Sequence, residues 1–62
     1  MIFKGIVSSI ENAGTRLILP DKNNIVTIPL PSAVGIGLAV GDKVAVVFFA
    51  QNFQDGLILA KY

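Results

Sequence analysis

LAVGDKVAVVFF, residues 38–49, opens as a turn and ends in Val44, Ala45, Val46, Val47, Phe48 and Phe49, with no polar residue among them. A strand with one face in water alternates apolar with polar side chains. Here the alternation stops at Lys43, so the second face also needs cover. Successive side chains of a strand point to opposite faces. Val44, Val46 and Phe48 are therefore assigned to the core. Val47 and Phe49, on the face begun by Lys43, are assigned to contact with another chain.

Working outward, the rest of the chain also reads as strands and turns. Residues 2–10, IFKGIVSSI, place Ile2, Ile6 and Ile10 in phase with Lys4 and Ser8, and Gly5 within them suggests a bulge or sharp bend. ENAG (11–14) is a turn into TRLILP (15–20), where Leu17 and Leu19 share a face. DKNN (21–24) reads as a hairpin turn, because Asp and Asn tolerate left-handed backbone. IVTIPL (25–30) sets Val26, Ile28 and Leu30 on one side, with Pro29 marking an edge. PSAVGIGLAVGD (31–42) is long for a hairpin loop and unusually apolar, as suits a segment folded over a barrel end or into a partner. QNFQDG (51–56) turns the chain into LILAKY (57–62). Gly41 and Gly56 are the positions expected to need a positive φ.

Five short strands, with one longer connection after the third, indicate an all-β single domain over residues 1–62. The expected form is a small five-stranded OB-like Greek-key barrel whose helix between strands 3 and 4 is reduced to a loop. An SH3-like barrel is the alternative.

A chain of 62 residues buries only roughly 60% of the surface its unfolded form exposes, so small domains lean on disulfides, metals or oligomerisation. There is no cysteine and no histidine. That removes disulfides, cysteine-based zinc or redox sites, and the commonest metal ligand and general base. Oligomerisation is what remains. Hydrophobic residues make up 53% of the chain against 15% charged, and mean hydropathy is +0.72. So much apolar side chain exceeds what a lone core of this size holds, and the surplus forms interaction patches.

The net charge of +1 comes from singly scattered cations, without the basic stripe that nucleic-acid binding requires. The longest uncharged run, NNIVTIPLPSAVGIGLAVG (23–41), approaches spanning length but is broken by Pro29, Pro31, Gly35 and Gly37, so no membrane span is expected. The N-terminal residues do not read as a signal peptide, and a cytoplasmic origin is expected.

Catalytic signatures are missing. Glu11, Asp21, Asp42 and Asp55 each fall in an expected turn, where local hydrogen bonding accounts for them. Ser8, Ser9 and Ser32 have no histidine to activate them. Gly35, Gly37 and Gly41 miss the G-x-G-x-x-G spacing by one residue and precede a strand where a helix is required. The chain is read as a non-enzyme without cofactor or metal. Phe53 is either an exposed aromatic at a loop tip or a ring folded back on the barrel end. The candidate interface is Val34, Ile36, Leu38, Val47, Phe49 and Phe53.

VGDKVAVVFFAQNFQDGLILAKY (40–62) resembles the end of the OB modules in phage-tail baseplate and spike proteins, the barrels of contractile-tail spikes and VgrG-like injection devices. The shared pattern is Gly41-Asp42, a basic residue, an apolar strand, a polar loop, and Gly56 opening a final apolar strand. The resemblance covers the last third of the chain. It implies a structural component of a phage-tail-like or tailocin particle, made in the bacterial cytoplasm and then built into the particle. The implied partners are copies of itself, as a trimer, and other tail or baseplate proteins. No needle or lytic region follows the barrel here, so a spacer, adaptor or hub role is expected rather than a piercing one. Single-stranded nucleic-acid binding through aromatic platforms is the competing function. A barrel that holds a small anion on backbone N–H groups is a third.

Overall fold

The computed structural model describes residues 2–50 and 53–62. Its strands are β1 (Ile2–Glu11), β2 (Gly14–Leu19), β3 (Ile25–Val26), β4 (Lys43–Phe48) and β5 (Gly56–Lys61), with one 3-10 turn at Pro20–Lys22. They form one sheet in the order β3-β2-β1-β4-β5. Three hairpin-linked strands, with a fourth returning beside the first, make a Greek key. Just beyond β3 the chain runs parallel to β5: the Ala33 N–H donates to the Ile58 carbonyl at 2.8 Å, and the Ile58 N–H donates to the Pro31 carbonyl at 2.9 Å. These two bonds join the ends of the sheet. The result is the OB-like barrel expected. A meander would have set β4 beside β3, so the observed order disfavours the SH3-like alternative. The connection over residues 33–42 contains no helix.

β1 serves both halves of the barrel. Its start pairs with β4, from Ile2↔Val47 to Ile6↔Lys43, and its end pairs with β2, from Ile6↔Ile18 to Glu11↔Gly14. A strand that changes partners must bend, and the register shifts between Val7 and Ser9. The bulge is thus at Ser8, not at Gly5 as the sequence suggested. Gly5 is needed for space instead. A Cβ there would stand 3.2 Å from Leu17 Cδ1, so its bare backbone makes room for the core.

That core is Val7, Leu17, Leu19, Leu30, Val44, Val46, Phe48 and Ile58. Burying each such side chain contributes about 1.5–3 kcal/mol, the main favourable term in a domain of this size. The expected inward set of β4 is among them.

The third strand departs from its expected alternation. Thr27 is buried, whereas Val26 and Ile28 face solvent. The cause is a side chain standing in for a main-chain acceptor. The Leu17 N–H donates to Thr27 Oγ1 at 3.0 Å, and the Thr27 N–H donates to the Leu17 carbonyl at 2.8 Å. The Thr27 hydroxyl in turn donates to the Ile28 carbonyl at 2.9 Å. This exchange advances the strand out of period, and only Leu30 of the expected face reaches the core.

Asn23 and Asn24 both lie at φ 58°, as the DKNN turn required, and Gly41 lies at φ 93°. Gly56 does not take the positive φ expected of it. Its constraint is space: a Cβ there would meet Phe48 Cδ1 at 2.7 Å and the Val47 carbonyl oxygen at 2.9 Å.

Candidate interaction surface

Register decides which outward side chains meet. Val47 stands opposite Ile2 on one side and Leu57 on the other, so the three form a row across β1, β4 and β5. Val46 and Ile58 point into the core, so this row points out. Two residues along, Lys4, Ala45 and Ala60 form the next row, and Ile6 with Lys43 a third. Beyond the other end of β4 the Phe49 N–H donates to the Asp55 carbonyl at 2.7 Å. Ile2 is 69% exposed and Phe49 65%.

The face has relief as well as apolar character. The large row of Ile2, Val47 and Leu57 adjoins a row with methyl groups at Ala45 and Ala60, and Leu59, the extra residue where the β4–β5 register shifts, is 40% exposed between Leu57 and Ala60. An open hollow of about 440 Å³ lies on the β1 side of Ala45, lined by Ile2, Phe3, Lys4, Asp21, Ala45 and Tyr62. Charge is distributed along the strands. Asp55 lies at the Phe49 end, and Lys4 and Lys43 lie toward the other.

The remaining charged groups are mostly held locally. Arg16 Nε donates to Glu11 Oε2 at 2.8 Å across the first hairpin. Asp42 Oδ2 accepts from the Ala39 N–H at 2.9 Å and lies 3.6 Å from Lys61 Nζ. Among the described residues no three carboxylates are grouped as a metal site would need.

The structure separates the six candidate interface residues. Val47 and Phe49 share the three-strand face. Val34, Ile36 and Leu38 belong to the connection over residues 33–42, where Val34 is fully exposed and Leu38 packs on the core. Phe53 is folded back. Its ring lies 5.4 Å from Phe3 and 5.1 Å from Phe48, and Phe3 and Phe48 are 5.8 Å apart, all edge to face. Lys22 Nζ caps this trio at 5.4 Å from the Phe3 centroid and 5.9 Å from that of Phe53. Phe53 reaches the trio from a left-handed backbone, φ 58°, which a bulky residue adopts only under constraint. Gln51 and Asn52 of the same loop lie outside the described residues.

Sequence reasoning missed Ile2, Leu57 and Tyr62 as members of the surface. Ile2 shares its phase with Lys4 and reads as a mixed face, and only the β1–β4 register shows that it extends the row of Val47. Among the described residues no helix is long and apolar enough to cross a membrane. Comparison of the chain with protein-family models, curated proteins and solved structures returns no match.

Proposed function

We propose that this barrel is a non-enzymatic assembly module, a component of a phage-tail-like particle that works through contacts with copies of itself and with other tail or baseplate proteins. The observation that carries the reading is the outward row of Ile2, Val47 and Leu57 with Phe49 beside it, an apolar face on a domain already holding a complete core. Contiguous exposed apolar surface marks interaction sites. The placement in a tail-like particle rests on the resemblance of residues 40–62 to baseplate and spike OB modules, and the bacterial setting rests on the same resemblance.

Native mass spectrometry of the purified protein at micromolar concentration tests it. Oligomers, or a co-purifying tail or baseplate protein, are expected; a monomer with neither refutes it. The competing reading, single-stranded nucleic-acid binding, draws less support because the cations are singly scattered and Phe53 is engaged with Phe3 and Phe48, which leaves Phe49 as its exposed aromatic. Oligonucleotide binding at low salt that falls steeply with added salt would reinstate it.

A further inference from the structure

Residues 27–33, TIPLPSA, close the barrel, and we infer that they form a strap that releases as a unit and opens a slot for one extended segment of a partner chain. The inference is independent of the assembly reading above.

The strap is tied at three points. Thr27 exchanges two hydrogen bonds with Leu17, one of them through its hydroxyl. The Leu30 N–H donates to the Thr15 carbonyl at 2.9 Å, and the Thr15 N–H donates to the Leu30 carbonyl at 3.0 Å. Pro31 and Ala33 hold Ile58 by the two bonds that join the ends of the sheet. Arg16 Nη1 adds a long bond to the Thr27 carbonyl, at 3.3 Å. The N–H ties fall at Thr27, Leu30 and Ala33, every third residue, where a regular strand bonds one neighbour at every second. Pro29 and Pro31 have no N–H to fill the gaps. Little apolar burial reinforces these ties. Thr27 and Leu30 are buried, whereas Ile28 is 43% exposed and Pro31 and Ser32 face solvent. β4, by contrast, buries Val44, Val46 and Phe48 and is paired along both edges. Segments with few buried apolar contacts open at a lower free energy than the rest of a domain. The strap therefore leaves the barrel before β4 does.

Release leaves β2 and β5 facing each other across one vacant strand, given the order β3-β2-β1-β4-β5. The groups laid bare are the N–H and carbonyl of Thr15 and Leu17 on β2 and of Ile58 on β5. A row of unpaired main-chain groups is met by an extended backbone, as in recognition by strand addition. The strap's own contacts specify the rest of the occupant. It needs a hydroxyl side chain level with Leu17 and, three residues on, an apolar side chain for the place of Leu30 in the core. The partner chemistry is thus an extended segment with Thr or Ser followed at the third position by Leu, Ile or Val.

Hydrogen exchange of the full chain in low urea, read residue by residue by NMR, tests the release. The amides of Thr15, Leu17, Thr27, Leu30, Ala33 and Ile58 are expected to exchange through one shared opening, at least about tenfold faster than those of β4. Their opening is expected to depend weakly on urea, because it exposes little surface. Ile58 discriminates best, since its side chain is as buried as that of Val46, 0% exposed. Phe53→Ala removes ring contacts with Phe3 and Phe48, outside the strap. It is expected to speed exchange in β4 and leave the six strap amides unchanged. Six amides that exchange no faster than β4, or that follow β4 in Phe53→Ala, overturn the strap. The slot is tested by fluorescence anisotropy with a labelled peptide of residues 24–33, NIVTIPLPSA. Thr27→Val leaves the Leu17 N–H without its acceptor, so this chain is expected to open, and capture the peptide, about 5- to 150-fold more than the native chain. The peptide carrying Thr27→Val and Leu30→Asp is expected to bind at least about tenfold more weakly. Absence of capture by both the native and the Thr27→Val chains, or equal capture of the altered peptide, overturns the slot. Where Thr27→Val does not fold, the native chain's exchange decides the strap and its capture of the two peptides decides the slot.

Discussion

Gly56→Ala places one methyl group where the structure has no room. The new Cβ would stand 2.7 Å from Phe48 Cδ1, 2.9 Å from Phe48 Cε1 and 2.9 Å from the Val47 carbonyl oxygen. Neither neighbour yields easily. The carbonyl belongs to the β4–β5 ladder, and the ring is held edge-on by Phe3 at 5.8 Å and Phe53 at 5.1 Å. Overpacking of a core costs about 1–3 kcal/mol, and three contacts this short argue for the upper end, about 3 kcal/mol. A core of this size rarely supplies more than about 3–5 kcal/mol in all. At about 4–8 °C per kcal/mol, Tm is expected to fall by roughly 12–24 °C. Gly37→Ala is the control, because nothing lies within 4 Å of a Cβ there. It is expected to change stability by less than about 1 kcal/mol, with a gain from the stiffer unfolded chain. Urea and thermal unfolding followed by circular dichroism measure both. Adding Phe48→Leu to Gly56→Ala removes the ring that clashes, so the two losses are expected to combine less than additively. Equal effects at Gly56 and Gly37, or strict additivity with Phe48→Leu, would refute the reasoning.

Other expectations follow from the same geometry. Thr27→Val strips the Leu17 N–H of its acceptor inside the barrel and is expected to cost about 1–3 kcal/mol in urea unfolding, with Thr27→Ser milder. Phe53→Ala removes two edge-to-face pairs and one cation–π contact. At about 0.5–1.5 kcal/mol per ring pair, it is expected to lose about 1–3 kcal/mol, and unchanged unfolding would show the trio to be idle. Phe49→Ser lies on the outward face and is expected to leave monomer stability within about 0.5 kcal/mol while weakening association in sedimentation. Glu11→Gln breaks an exposed ion pair with Arg16 and is expected to cost less than about 1 kcal/mol, an effect that salt suppresses.

The fold was legible in the sequence because its signals are local. Alternation in Val44, Val46 and Phe48, and turn chemistry at Asn23, Asn24 and Gly41, are each set by neighbours along the chain. What escaped were cases where a distant residue decides. Thr27 reads as a surface threonine until the Leu17 N–H is found to need its hydroxyl, and that exchange breaks the alternation expected over residues 25–30. Gly56 reads as a turn glycine, but a ring on the adjacent strand sets its identity. Phe53 offered two readings, and only the positions of Phe3 and Phe48 choose between them. The interaction surface was half visible. Val47 and Phe49 were conspicuous for lacking a polar face, whereas Ile2 and Leu57 join them through strand register, which one sequence does not encode in any short window.

The divided pairing of β1 bears on how the chain is born. Its second half finds β2 within one hairpin, but Ile2 waits for Val47, most of the barrel's length away along the chain. Synthesis proceeds at about 5–20 residues per second, so the leading edge of β1, with Ile2 and Phe3, spends a few seconds without its β4 partner. Non-local pairings of this kind are also the slow step of folding. During that interval the first strand of the barrel offers an apolar edge to any neighbour, and crowded nascent chains are where mispairing of this barrel would begin.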